Sequence, residues 1–146
     1  MVSDLIRVRR FGDPMIHEEL SDKIICAFYN VYNALGYGFL EKVYENALVI
    51  ELKKLDLSVT QQERIKVYYE GILVGDYFAD LVVNGLVILE LKSAESLRNE
   101  HFAQLTNYLK ATDKEVGMLF NFGRKPEFKR IVLGNESKLL LVSTLA

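Results

Sequence analysis

Apolar residues at Ile16, Leu20, Ile24, Phe28, Val31 and Leu35 recur at steps of three and four. That spacing predicts an amphipathic helix over 16–35. Gly36 follows the last apolar position, where a left-handed C-cap is least strained. A second helix is predicted over 40–55, with Leu40, Val43, Tyr44, Ala47, Leu48, Leu52 and Leu55 as its buried stripe. The period then changes. Arg64–Tyr69 alternates as a strand, and Glu70-Gly71 turns the chain. Ile72–Val74 and Tyr77–Val83 read as one long strand or two short ones, closed by the turn signal Asn84-Gly85. Leu86–Leu91 is nearly all apolar, as expected of a central strand covered on both faces. A helix over 97–110 and strands over 116–122 and 128–133 follow, with a further strand expected at 139–142. The expected fold class is α/β, in the order ααβββαββ: a meander, a crossover helix and a mixed sheet flanked by helices.

The chain has 146 residues, enough for one domain with a real core. Residues 1–14 are charged and end in Gly12-Asp13-Pro14, which suggests an extension or an edge strand. The expected organisation is therefore an extension over 1–15 and a single domain over 16–146. No apolar run approaches the ~20 residues of a membrane span, and the first residues lack the apolar core of a secretory signal. No membrane partner and a cytoplasmic location are expected. The single cysteine, Cys26, excludes an internal disulfide and is expected to be buried as a small hydrophobe. A net charge of −2 argues against a protein whose whole surface grips nucleic acid. Local basic patches at Lys53–Lys54, at Arg64 with Lys66, and at Arg124, Lys125, Lys129 and Arg130 could still hold phosphates, or be solvated faces.

The strongest chemical cluster is Asp80 followed ten residues later by Glu90-Leu91-Lys92. Glu90 and Lys92 project from one face of a strand. Charges that end an apolar run are expensive to bury without a purpose. Two carboxylates can hold Mg²⁺ or Mn²⁺, which prefer hard oxygen ligands, and a nearby lysine can offset charge on a phosphate. The alternative is that Glu90 and Lys92 simply leave the core as the strand meets solvent.

The geometry sets a condition. A two-residue loop at Asn84-Gly85 would pair Asp80 with Leu89 and turn Glu90 to the opposite face. A three-residue loop, Val83-Asn84-Gly85 with a left-handed Gly85, places Asp80 opposite Ile88 and diagonal to Glu90. That loop is the expectation.

Glu41 and Glu45 share one side of the second helix and flank Tyr44. Either could serve a metal, or Glu could complement the helix dipole. His101, Gln104 and Tyr108 form one stripe on the crossover helix. They could contact substrate or position the lysine, or make ordinary internal hydrogen bonds.

Together, Gly38-x-x-Glu41-x-x-Tyr44, "YFADLVVNGLVILELKSAE", Gln104-x-x-x-Tyr108 and "GMLFNFG" resemble the GxxExxY proteins, a branch of the PD-(D/E)xK nuclease superfamily. The resemblance covers roughly residues 16–133. It implies a restriction-endonuclease-like fold and a Mg²⁺ or Mn²⁺ site. Asp80 and Glu90 would be metal ligands, Lys92 the catalytic lysine and Glu41 a further catalytic carboxylate and ligand. Gln104 and Tyr108 would support, as in RecB-like nucleases, with Tyr44 and His101 beside them. Ala79 stands where the motif has proline, and Asp76 is a weaker rival for Asp80 because it lies about 13 Å farther back along an extended strand.

The expected function is a metal-dependent nuclease acting on nucleic acid, DNA first, in repair or defence. The competing reading is a non-catalytic nucleic-acid- or protein-binding module on the same fold. A nuclease toxin or its partner is a weaker third. Eight tyrosines and eight phenylalanines could also serve a homodimer interface.

Overall fold

The structure is a computed structural model that describes residues 15–138. Two helices lead, α1 (Glu18–Leu35) and α2 (Glu41–Lys54). Three strands follow, β1 (Val59–Tyr69), β2 (Ile72–Val83) and β3 (Val87–Lys92). Helix α3 (Asn99–Lys110) then crosses to β4 (Val116–Phe122) and β5 (Pro126–Val132). The expected order ααβββαββ is the observed one. The expected extension over 1–15, apart from Met15, and the strand at 139–142 lie outside the described residues.

The strands form one sheet in the order β1-β2-β3-β4-β5. Only β3 and β4 run parallel, joined across α3, and the other neighbours are antiparallel. Each face of the sheet has its own apolar layer. Leu81, Val83, Val87, Leu89 and Leu91 pack with Met118, Phe120 and Phe122 against α1 and α2. Val82, Ile88 and Leu119 pack on the other face against Leu105, Tyr108 and Leu109 of α3. This two-sided covering accounts for the continuous apolar run in β3. Gly117 lets α3 lie close, because a Cβ there would meet the Leu105 side chain at 2.7 Å.

Three expectations are corrected. Cys26 is exposed: the buried stripe of α1 runs through Ile24, Ala27, Phe28 and Val31, and Cys26 falls between its rows. In α2 the buried stripe is Tyr44, Glu45, Leu48, Val49 and Leu52, while Leu40, Val43 and Leu55 are exposed. Leu40 precedes the first helical turn in extended conformation, so it does not share the helical face. The β2–β3 loop is Asn84-Gly85-Leu86, because Val83 pairs with Val87 and Val82 with Ile88. Asn84 and Gly85 both adopt left-handed conformations (φ 53 and 64°), and Leu86 N–H donates to Val83 C=O at 2.9 Å. The tight turn thus closes on Leu86, which becomes the extra residue. The loop has three residues, but the register is two residues away from the expected one, and Asp80 stands level with Glu90 rather than Ile88.

Candidate active site

β2 and β3 pair only over Leu81–Val83 and Val87–Leu89. One step further, where Asp80 and Glu90 face each other, the side chains replace the ladder. Asp80 N–H donates to Glu90 Oε1 at 3.0 Å, and Leu91 N–H donates to Asp80 Oδ2 at 2.8 Å. The strands diverge there, while β3 remains paired to β4 through Lys92. The two carboxylates therefore lie at the fork of a splitting sheet.

β1 helps to make the fork. Gln62, which faces Asp80, is missing from the β1–β2 ladder and has a positive φ of 54°. The sheet faces invert across this point. Leu81 and Val83 belong to the α1–α2 layer, whereas Ala79 and Ile65 belong to the α3 layer. A left-handed glutamine is strained and needs outside support. Its Nε2 donates to Glu45 Oε1 at 2.8 Å and approaches Asp80 Oδ1 at 3.5 Å. Glu45 also receives Gln61 Nε2 at 2.8 Å and Lys42 Nζ at 2.7 Å. Glu45 was left without a clear role by its sequence, and neither glutamine carries a sequence signal. Glu45 is the buried anchor that holds the kink behind Asp80.

The charges in the fork are poorly balanced. Glu90 is 2% exposed. Burial, and then the nearby Asp80 carboxylate, push its pKa up to about 8, against the weaker pull of the Asp80 N–H and Lys92. Burial raises Asp80 too; the Leu91 N–H opposes this and Glu45 adds to it. Glu41, the first residue of α2, is raised chiefly by burial, while Lys92 pulls it down and Asp80 pushes it up. Three acids thus share their field with one lysine. Lys92 is in no ion pair among the described residues; its Nζ contacts Gln104 Oε1 at 3.4 Å. Gln104 Nε2 in turn donates to Tyr108 Oη at 2.9 Å. Tyr108, Gln104 and Lys92 thus form one hydrogen-bonded chain.

The structure brings Asp80, Glu90, Lys92, Gln104 and Tyr108 together and leaves Glu41 near them, without a hydrogen bond among the described residues. His101 is within the field of Glu41, and its Nδ1 accepts the Arg98 N–H at 3.0 Å, so it also caps α3. Tyr44 is elsewhere. It is fully buried, stacks on Phe122 at 4.3 Å, donates from Oη to Gly36 C=O at 2.7 Å and accepts from Phe39 N–H at 3.2 Å. The Gly38-x-x-Glu41-x-x-Tyr44 pattern thus has a physical reading. Gly38 has a φ of 110° that favours glycine, Tyr44 pins the loop from within, and Glu41 begins the helix at the site.

Asn121, fully buried beside Lys92, was also missed. Its side chain accepts from Ala94 N–H and donates to Ala94 C=O, both at 2.9 Å. It clamps the chain just after Lys92. Of the basic patches, Arg64 is bound bidentately by Asp76 at 2.8 and 2.6 Å, which also removes Asp76 as a rival for Asp80. Arg130 binds Ser21 Oγ and the Ile16 carbonyl. Arg124 lies 5.7 Å over the Tyr37 ring, on the rim of a hollow of about 340 Å³ lined also by Phe39, Ala94 and Gly123.

Among the described residues no group of three His, Cys, Asp or Glu side chains forms a complete ligand set. The donors present nevertheless suit a hard divalent ion. Mg²⁺ is commonly held by one or two carboxylates, with water and substrate phosphate filling the remaining positions. Asp80 and Glu90 each spend one oxygen on a backbone N–H, and the other oxygen meets only the 3.5 Å approach of Gln62.

The family described as the PD-(D/E)XK nuclease superfamily matches residues 18–131. Among solved structures, an alkaline exonuclease (LHK-Exo) from Laribacter hongkongensis is similar at 12% identity with a TM-score of 0.49, over 70% of this chain and 60% of that one. SSO0001 is similar at 18% identity with a TM-score of 0.48, over 86% of this chain and 68% of the other. This chain therefore spans about 60% of the exonuclease's length. No curated protein matches. No helix among the described residues is long and apolar enough to cross a membrane. With the sheet order, the helices on both faces and a family match over most of its length, the chain has the restriction-endonuclease-like fold and belongs to the PD-(D/E)XK nuclease superfamily.

Proposed function

We propose that this chain hydrolyses phosphodiester bonds of DNA with a divalent cation, Mg²⁺ or Mn²⁺, held by Asp80 and Glu90. The observation that carries the reading is the pair of carboxylates locked across the β2–β3 fork with one lysine to balance them. Acids crowded and buried in this way are stabilised in their ionised form by a nearby cation. When bound, the cation supplies Lewis-acid polarisation of the phosphate and acidifies a water.

The chain's own residues do the rest. Lys92, in no ion pair among the described residues and steadied by Gln104 and Tyr108, offsets charge developing on the phosphate. Glu41, its affinity for protons raised by burial, faces this space from the N-terminus of α2 and holds a water or completes the ligand set. His101, in the first turn of α3, is the residue there that would meet the substrate. Tyr44 positions Glu41 through the loop it pins. The GxxExxY assignment of Gly38, Glu41 and Tyr44 is part of this proposal. Among the described residues Lys92 has no ion pair, and this favours catalysis over the binding module, which would have no use for an uncommitted lysine beside three acids.

The test is cleavage of end-labelled single- and double-stranded DNA and RNA in Mg²⁺ and Mn²⁺, comparing wild type with Asp80→Ala and Lys92→Ala. Cleavage by wild type that both variants lose supports the reading. Absence of cleavage on every substrate, or equal cleavage by the variants, refutes it.

A further inference from the structure

α3 and the β1–β2 hairpin do not close on one another. Between them lies a trough of about 270 Å³ lined by Val67, Tyr77, Ala103, Gln104, Asn107 and Tyr108. A second hollow of about 300 Å³ shares Val67, Tyr77 and Asn107 and carries the trough on to Lys110. One end is therefore Gln104, whose side chain reaches Lys92, and the other is Lys110. Along α3, Gln104 to Lys110 spans about 9 Å.

The walls of this trough have a definite chemistry. Tyr77 is 48% exposed, although it packs toward Tyr108 with ring centroids 5.8 Å apart. An aromatic face is left open to the trough. Asn107 presents a side-chain amide with no protein partner among the described residues. Lys110 has no ion pair there either. Glu100 stands at the mouth, with Arg98 3.8 Å away to offset it. An apolar floor, an exposed ring, an unpaired amide, Lys110 at one end and Lys92 one hydrogen bond beyond Gln104 at the other suit a flat heteroaromatic ring carried between two phosphates.

We propose that the trough is a subsite for one unpaired nucleobase, so that the substrate is single-stranded, or unwound, on one side of the cut. This deepens the nuclease reading and rests on it. In a duplex the bases are paired and stacked, so a surface meets sugar, phosphate and the groove edges of the bases but no open base face. An apolar trough with an open tyrosine complements none of that. An unpaired base offers a π-face to Tyr77 and polar edges to Asn107. A base seated there brings its own phosphate toward Lys92 through the Gln104 end, and a neighbouring phosphate toward Lys110. Tyr77 and Asn107 are thus substrate-positioning residues, and Tyr77 reaches the site from the hairpin.

The experiment uses the full chain carrying Asp80→Asn, which retains the trough, with Ca²⁺ present. Fluorescence anisotropy measures binding of a labelled oligothymidylate and of a duplex of equal length. Tyr77→Ala and Asn107→Ala are then added singly, with thermal melting to establish that each variant folds. The expected result is tighter binding of the single strand, weakened roughly 5- to 150-fold by Tyr77→Ala, the loss of one stacked base. Asn107→Ala weakens it less. Equal binding by Tyr77→Ala, or a preference for duplex, overturns the subsite. A change of oligomeric state in Tyr77→Ala, seen by sedimentation, overturns it also and gives the trough to a second copy of the chain. Cleavage with Asp80 intact separates the two claims. Duplex cutting unaffected by Tyr77→Ala sinks the subsite and leaves the nuclease standing. Single-strand binding that needs Tyr77, without any cleavage, keeps the subsite and sinks the nuclease.

Discussion

Replacing Glu90 by glutamine should make the metal-free protein more stable at alkaline pH. Glu90 is buried beside Asp80, and its pKa rises from an ordinary 4.5 to about 8. The folded chain therefore holds this proton more tightly than the unfolded chain. Between those two values the native state binds more protons, so stability falls as pH rises. The contribution is fully present below about 4.5 and is lost by the time pH passes 8. At about 1.4 kcal/mol per unit, the whole loss is roughly 3–5 kcal/mol. Glutamine keeps an oxygen to accept the Asp80 N–H but cannot ionise. Other titrating groups are common to both proteins and largely cancel in the difference. Urea unfolding in EDTA, followed by circular dichroism at pH 5.5, 7 and 9, measures it. The lead of Glu90→Gln should be small at pH 5.5, about 1.4 kcal/mol, and several kcal/mol at pH 9. Parallel pH curves would refute the burial argument.

Two structural substitutions separate support from chemistry. Gln62→Ala removes a hydrogen bond from the buried Glu45 carboxylate and should lower stability by roughly 1–3 kcal/mol in the same urea assay. Asn121→Ala leaves Ala94 N–H and C=O without their side-chain partner and should cost about 2–3 kcal/mol. At temperatures where it remains folded, Asn121→Ala should also cut more slowly while binding Mn²⁺ as wild type does, because the clamp sets the chain after Lys92 and not the carboxylates.

The elements were legible because each carries a clean period: steps of three and four in α1 and α3, and a continuous apolar run in β3. The fork was partly legible. The spacing of Asp80, Glu90 and Lys92 required a three-residue loop, and the chain has one. The register slipped by two because Asn84 as well as Gly85 takes a left-handed conformation, which moves the turn onward to Leu86. The support behind the site was not legible. Gln62 owes its positive φ to tertiary contacts with Glu45, and nothing in its chemistry announces that conformation. Asn121 reads as one polar residue in an apolar strand until its bonds to Ala94 are seen. Tyr44 showed the reverse problem: its place in the motif suggested the site, but its hydroxyl serves the loop before α2.

The account rests on Asp80 and Glu90 holding a divalent cation together, and calorimetric titration of Mn²⁺ into wild type, Asp80→Asn and Glu90→Gln tests that most directly. One ion bound per wild-type chain, lost or weakened at least tenfold in both variants, is the predicted result. No binding by wild type, or binding unchanged in both variants, would contradict it.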